Sequence, residues 1–156
     1  MDAAKFRSAR ADEASLLGEL ALRSKGYWGY DEDFLEACRP ELTFRPADVA
    51  ARRIIVAEGA TGVLGFYSID GEPPSGELGN MWVVPEQIGT GLGRELWQHA
   101  LGAACRAGFT SLRIAADPNA AGFYRAMGAE QIGEVPSGSL AGRSLPLLLV
   151  NLPSGA

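Results

Sequence analysis

The segment Val83-Val84-Pro85-Glu86-Gln87-Ile88-Gly89-Thr90-Gly91-Leu92-Gly93-Arg94 constrains this chain more than any other. An extended apolar stretch runs through a glycine-rich turn straight into helix-forming sequence. Three glycines on alternate positions permit close backbone approach and φ > 0, so successive N–H groups can converge on an anion at the positive end of a helix. The turn therefore reads as a phosphate cradle. A P-loop requires a Lys-Ser/Thr pair where Arg94-Glu95 stands, and a dinucleotide fingerprint requires a third glycine at Arg94, so neither fits.

The residues after the cradle repeat with helical period. Across Gly91–Ala107, Leu92, Leu96, Ala100, Leu101 and Ala104 form one stripe, with Glu95, Gln98, His99, Gly102 and Arg106 opposite, and Gly108 ends the helix. On this reading His99 is a solvated side chain. Upstream, Lys5–Ala9 reads as a strand, and Asp12 caps a helix running to Arg23. Asp31 caps a shorter helix that stops at Pro40. Glu41–Arg52 has no clear pattern. Arg53–Glu58 and Val63–Ile69 flank a Gly59–Gly62 turn as a hairpin, followed by a strand at Glu77–Val84. Period-two alternation places Glu77, Gly79, Met81 and Val83 on one strand face.

Downstream, Ser111–Ala115 reads as a strand, and Asp117-Pro118 as the cap and first turn of a helix reaching Met127, with Gly128 as its stop. Strands at Ala129–Val135 and Leu145–Asn151 flank a polar loop, Pro136–Ser144. The expected architecture is a single α/β domain over residues 1–156. It has a mixed, mostly antiparallel sheet of about seven strands with four helices on its faces.

Composition narrows the partners. With 156 residues, 47% of them hydrophobic, the chain suits one domain with a sizeable core. A net charge of −5 argues against a nucleic-acid surface. No apolar run approaches a membrane span and the start lacks a secretion signal, so a soluble, cytoplasmic protein is expected. Cys38 and Cys105 read as reduced thiols, and a lone histidine implies no zinc site or other metal. The acidic run Asp31, Glu32, Asp33, Glu36 and Glu41 is a solvated helix face or a steering patch for a cationic acceptor.

The cradle segment resembles the coenzyme-binding motif of the GNAT superfamily of acetyl-CoA-dependent N-acetyltransferases. The order of elements is similar to that fold as well. A second segment, Asp117-Pro-Asn-Ala-Ala-Gly-Phe-Tyr124-Arg-Ala-Met-Gly128, is similar to the family's later motif. The resemblance spans essentially the whole chain. Two positions depart from it: Ile88 stands where the family usually carries Gln or Arg, and Asp117 where it usually carries Asn. The anion must then rely on backbone groups and Arg94, while Asn119 can substitute for the missing amide.

The resemblance implies a splayed sheet that receives acetyl-CoA as co-substrate, with the pantetheine arm pairing along Met81, Trp82 and Val83. The pyrophosphate would lie on Gly89, Thr90, Gly91, Leu92, Gly93 and Arg94, and Asp117, Asn119, Phe123 and Tyr124 would complete the coenzyme site. It assigns Glu77 as general base and Tyr124 as the proton donor to the departing thiolate. It also places an amine acceptor near Trp28 and Tyr30. Arg143, in a loop rich in Gly and Ser, pairs a substrate carboxylate or a surface acid. With Cys105 far past the turn, direct attack in a ternary complex is expected over an acyl-cysteine route. A non-catalytic acyl-CoA-binding or sensing module is the alternative. A homodimer is left open, and neither nucleic acid nor membrane is an expected partner.

Overall fold

The computed structural model describes residues 4–138 and 140–153; the first three residues of the polar start, position 139 of the polar loop and the last three residues lie outside it. Seven strands form one sheet in the order β1-β2-β3-β4-β5-β7-β6. They are β1 (Lys5–Ser8), β2 (Ile55–Gly59), β3 (Gly62–Asp70), β4 (Ser75–Val83), β5 (Ser111–Ala115), β6 (Glu130–Pro136) and β7 (Ser144–Asn151). Five helices cover it: α1 (Ala14–Gly26), α2 (Glu32–Cys38), α3 (Pro46–Ala51), α4 (Leu92–Arg106) and α5 (Ala121–Ala126). Among the described residues no helix is long and apolar enough to cross a membrane.

The connections dictate the pairing. Short turns join β2, β3 and β4, which run antiparallel, whereas α4 carries the chain across the sheet between β4 and β5 and makes that pair parallel. The parallel ladder is brief. It joins Ser75, Gly76 and Glu77 to Ser111, Leu112 and Arg113 and then stops, although β4 continues six residues further. Beyond Glu77 the two strands diverge, and among the described residues the β5-side edge of β4 has no strand partner.

Two cores lie on opposite faces. Trp97, Leu96, Ala100 and Ala104 of α4 pack with Tyr67, Ile69, Leu78, Ile114, Tyr124 and Leu148 on one face. Leu17, Leu20 and Ala21 of α1 pack with Phe44, Val49, Val56, Phe66 and Val84 on the other. The amphipathic stripe expected for α4 is thus the core side, with Trp97 added to it.

Four expectations change. The patternless Glu41–Arg52 holds the end of a 3₁₀ turn, Arg39–Leu42, and the six-residue α3, so the helices among the described residues number five rather than four. Pro46 starts α3, and the Asp48 carboxylate accepts from the Arg45 N–H. Asp12 does not cap α1: it lies in a 3₁₀ turn, Ala11–Glu13, where the Glu13 carboxylate accepts the Arg10 N–H at 2.8 Å. The last helix begins at Ala121, since Pro118–Ala120 forms a turn first.

The fourth change bears on the site. A bulge at Gly79 shifts the β3–β4 register, which pairs Ile69 with Leu78 but Ser68 with Asn80. Glu77 therefore lies on the face of Asn80 and Trp82, while Leu78, Met81 and Val83 turn toward α4. Simple alternation had put Glu77 and Met81 together.

The Glu13 carboxylate, 7% exposed, closes the α1 entry by accepting from both terminal nitrogens of Arg7 at 2.9 and 2.8 Å. The Arg7 hydrogen bonds, opposed by burial and aided by the Arg10 N–H, lower its pKa to about 2. A depressed carboxylate pKa stabilises the fold above the unfolded value and loses that contribution as pH falls toward about 2. Glu13→Gln is expected to lower unfolding free energy by about 2–3 kcal/mol at neutral pH. The gap from wild type should shrink between about pH 5 and pH 2 in urea titrations; a gap constant across that range refutes the linkage.

Candidate active site

The divergence of β4 from β5 opens a cleft of about 520 Å³ on the α4 side. Its walls are Met81, Trp82 and Val83 of β4, the turn at Gly89 to Gly93, Arg94, and Asn119, Phe123 and Tyr124 around α5. The turn has the shape its glycines suggested. Gly89 and Gly91 have φ of +85° and +96°, and a Cβ built on either meets nothing within 4 Å, so each faces open space. Among the described residues the N–H groups of Gly89, Gly91, Leu92, Gly93 and Arg94 have no acceptor, whereas Thr90 N–H is spent on Gln87 O. The Arg94 guanidinium is exposed and makes no ion pair among those residues. Free N–H groups, the positive end of a fifteen-residue helix and an unpaired cation together form an anion site.

Some predicted side chains serve structure instead. Leu92 is 4% exposed and packs in the core, which leaves only its N–H for a ligand. The Thr90 hydroxyl closes the turn by donating to Gln87 O at 2.7 Å. Trp82 turns its indole away from the α4 side and donates to Asn80 Oδ1 at 2.9 Å. From Met81 to Val83, the unpaired edge of β4 offers backbone groups to an extended ligand.

A second cavity, of about 350 Å³, opens on the other face of β4. Glu77, Asp70, Arg52, Lys25, Leu42 and Arg143 line it. Gly79, Asn80, Trp82, Ala115 and Asp117 line both cavities, so the two meet at the split in the sheet.

Tyr124 is 7% exposed, wedged between Trp97 and Phe123. Its hydroxyl has no hydrogen-bond partner among the described residues, yet no sealed side-chain polar atom there lacks one, so this oxygen opens onto the cleft. Burial, reinforced by the Asp117 charge, raises its pKa and keeps the phenol protonated at neutral pH. Glu77, on the opposite face, is exposed to the second cavity and makes no hydrogen bond or ion pair through its carboxylate among the described residues. Beside it, Arg52 grips Asp70 through two 2.8 Å hydrogen bonds. Gly79 makes room for that pair, because a Cβ there would collide with Asp70 Oδ2.

Asp117 is committed within the protein. Its carboxylate accepts from Lys25 Nζ at 2.8 Å, from the Tyr30 hydroxyl at 3.0 Å and from the Asn119 N–H at 2.8 Å. Burial opposes ionisation, but Lys25, the Asn119 N–H and Tyr30 outweigh it and its pKa is lowered. Asn119 Nδ2 and Arg143 Nη2 donate to the Tyr30 hydroxyl at 2.9 and 3.1 Å. Tyr30 and Arg143 are thus drawn together, but only Arg143 lines the second cavity; Tyr30 lines neither, and Trp28 lines the first.

Sequence reasoning missed Lys25, Asn80 and Arg52. Asn80 is 6% exposed on a central strand and donates to the buried Ser68 hydroxyl at 3.0 Å. Two polar residues at matching depth in strands are the signal that was available. His99 is not simply solvated: its Nδ1 lies 2.7 Å from the Tyr67 hydroxyl, its ring stacks on Phe6, and burial together with the Arg106 charge lowers its pKa. Cys105 lies near Pro153, remote from both cavities, and both cysteines are free.

The acetyltransferase (GNAT) domain profile matches residues 50–128, which carry β2 to α5 and both motifs. The chain belongs to the GNAT acetyltransferase family. Solved structures share the fold of this GNAT chain. A GCN5-related N-acetyltransferase from Rhodopseudomonas palustris superposes with a TM-score of 0.78 at 19% identity, over 97% of this chain and 98% of that one. The PaiA N-acetyltransferase of Thermoplasma acidophilum, in complex with coenzyme A, gives 0.75 at 16% identity over 96% and 99%. A phosphinothricin acetyltransferase from Sinorhizobium meliloti, in complex with acetyl-CoA, gives 0.69 at 19% identity over 99% and 91%. A sequence search of curated proteins returns no match. Among the described residues no cluster of three or more His, Cys, Asp or Glu side chains is arranged to hold a metal.

Proposed function

We propose that this GNAT domain transfers the acetyl group of acetyl-CoA to a primary amine by direct attack in a ternary complex. One observation carries the reading. A cleft with an anion cradle and an open phenol meets, through the split between β4 and β5, a cavity that holds an unpaired carboxylate. Support for the co-substrate comes from the fit of the cradle and from the relatives solved with coenzyme A or acetyl-CoA.

In this reading the pyrophosphate lies on the N–H groups of Gly89 to Arg94, with Arg94 as its counter-charge. Pantetheine runs along the free edge of β4, and Asn119, Phe123 and Trp28 border it. The thioester then lies near the split. The acceptor enters through the second cavity, where Glu77 takes its ammonium proton, directly or through water. The neutral nitrogen attacks the thioester carbon, the C–N bond forms and the C–S bond breaks. Tyr124 donates its proton to the departing sulfur and is reprotonated, through water, by the second proton that the acylated nitrogen releases as it becomes the amide. Asp117 holds Tyr30, Lys25 and Arg143 and leaves coenzyme contact to Asn119.

Acetyl-CoA-dependent release of free thiol with a panel of amines tests the reaction; thiol release that no amine stimulates would refute it. Tyr124→Phe tests the acid. The hydroxyl has no partner among the described residues, so its removal is expected to leave the melting temperature in place. Turnover of acetyl-CoA should fall on the order of 10- to 100-fold, at or below the lower limit of the usual general-acid range of about 10²- to 10⁴-fold, because a thiol of pKa about 8.5 is already a fair leaving group. A thioester of a more acidic thiol should restore much of the rate. Equal losses for both thioesters return Tyr124 to a packing role.

A further inference from the structure

Building on the proposed amine acetylation, we infer that the acceptor is a small aminocarboxylate, held with its ammonium at Glu77 and its carboxylate at Arg143. The second cavity is electrically two-ended. At one end, Arg52 is held by Asp70 through paired hydrogen bonds and reaches Glu77 only through its charge, which leaves the Glu77 carboxylate without a hydrogen bond or ion pair among the described residues. At the other, two cations share one anion: Asp117 accepts from Lys25 at 2.8 Å, while Arg143 lies 3.8 Å from it, beyond hydrogen-bond reach.

This second end is sheltered. The Asp117, Lys25 and Arg143 side chains are 8%, 11% and 22% exposed. A half-buried cation in excess calls for an anion. Arg143 has donors to offer it. Among the described residues its guanidinium spends one N–H on the Tyr30 hydroxyl and donates to no carboxylate, and its face is steadied over Phe34 at 4.7 Å. Lys25 is less available, with its ammonium on Asp117 and against the rings of Tyr30 and Phe34. Glu41 adds a further acid at the cavity wall and is itself engaged. The volume of about 350 Å³ suits a small molecule held at both ends.

The test measures kcat/KM for acetyl transfer to a series of amino acids, to their C-terminal amides and to the amines that lack the carboxyl group. The amino acids are expected to lead their amides by on the order of 10- to 100-fold, the range of one charge-assisted hydrogen-bonded pair. In Arg143→Gln that ratio should collapse toward unity through KM, and Arg143→Lys should restore part of it. Melting of each variant with and without acetyl-CoA shows that fold and coenzyme cleft are intact. If amides and simple amines match the amino acids, the aminocarboxylate assignment is overturned while amine acetylation stands. If acetyl-CoA shifts the melt but no amine in the panel releases thiol, amine acetylation itself falls. If the preference exists but survives Arg143→Gln, the carboxylate is read elsewhere and the Arg143 assignment is wrong.

Discussion

Glu77→Gln is expected to lower acetyl transfer by about 10²- to 10⁴-fold near pH 7, the range typical of a positioned proton acceptor. An amine of pKa about 10 is almost wholly protonated there, and the ammonium has no lone pair with which to attack. In wild type, Glu77 receives the proton after the amine is bound. The amide of the variant cannot, so only the neutral fraction present in solution reacts. That fraction rises tenfold for each pH unit below the amine pKa, which gives the variant a steep pH profile that approaches wild type at high pH. Because the Glu77 carboxylate makes no hydrogen bond or ion pair among the described residues, the change should cost little stability and leave acetyl-CoA affinity within a few-fold. A loss uniform across pH, or one seen only as weaker coenzyme binding, removes Glu77 from the role and turns attention to Asp70 or a water chain.

The geometry explains why this carboxylate was easy to find and hard to place. Its position four residues before Met81 is local information, but the bulge at Gly79 is set by how β3 and β4 meet, and it reverses the face on which Glu77 lies. The same division runs through the chain. The cradle was legible because positive φ at glycine and a 3.6-residue apolar stripe are properties of a few neighbouring residues, and Gly89, Gly91 and α4 adopt them. The crossover from β4 to β5 also follows from local signals, since a helix between two strands makes them parallel. In contrast, the Asp117 hub joins Lys25, Tyr30 and Arg143 across as many as 113 positions, and no spacing rule reports such a meeting. Two acids that look alike in sequence thus part in the fold: Asp117 is held by Lys25, Tyr30 and the Asn119 N–H, while the Glu77 carboxylate makes no hydrogen bond or ion pair among the described residues. The short α3 was missed for a further reason, as six residues give a periodic pattern too little length to show.

Gly91→Val should abolish the thermal shift given by acetyl-CoA, whereas wild type at about a hundred times Kd should gain about 2.7 kcal/mol. For a chain of this length that gain is a rise of about 5–10 °C. Gly91 has φ of +96° at the cap of α4, and a β-branched residue is strongly disfavoured there. The replacement has two separable effects. Strain in the turn should cost about 1–3 kcal/mol of stability. Separately, the new side chain projects into open space on the cleft side, since a Cβ at Gly91 meets no protein atom within 4 Å. It therefore occupies the approach to the free N–H groups of Leu92, Gly93 and Arg94 without removing any side-chain contact. A matched substitution divides the two effects. Gly62→Val places the same residue at φ of +128° in the β2–β3 hairpin, also with nothing within 4 Å of the Cβ. It should pay a comparable strain cost yet keep the full acetyl-CoA shift. Loss of the shift at Gly91 alone ties the pyrophosphate to this turn. A variant at Gly91 that still shifts by several degrees places the coenzyme elsewhere, and an unmoved wild type, shown free of co-purified ligand, would falsify the cradle itself.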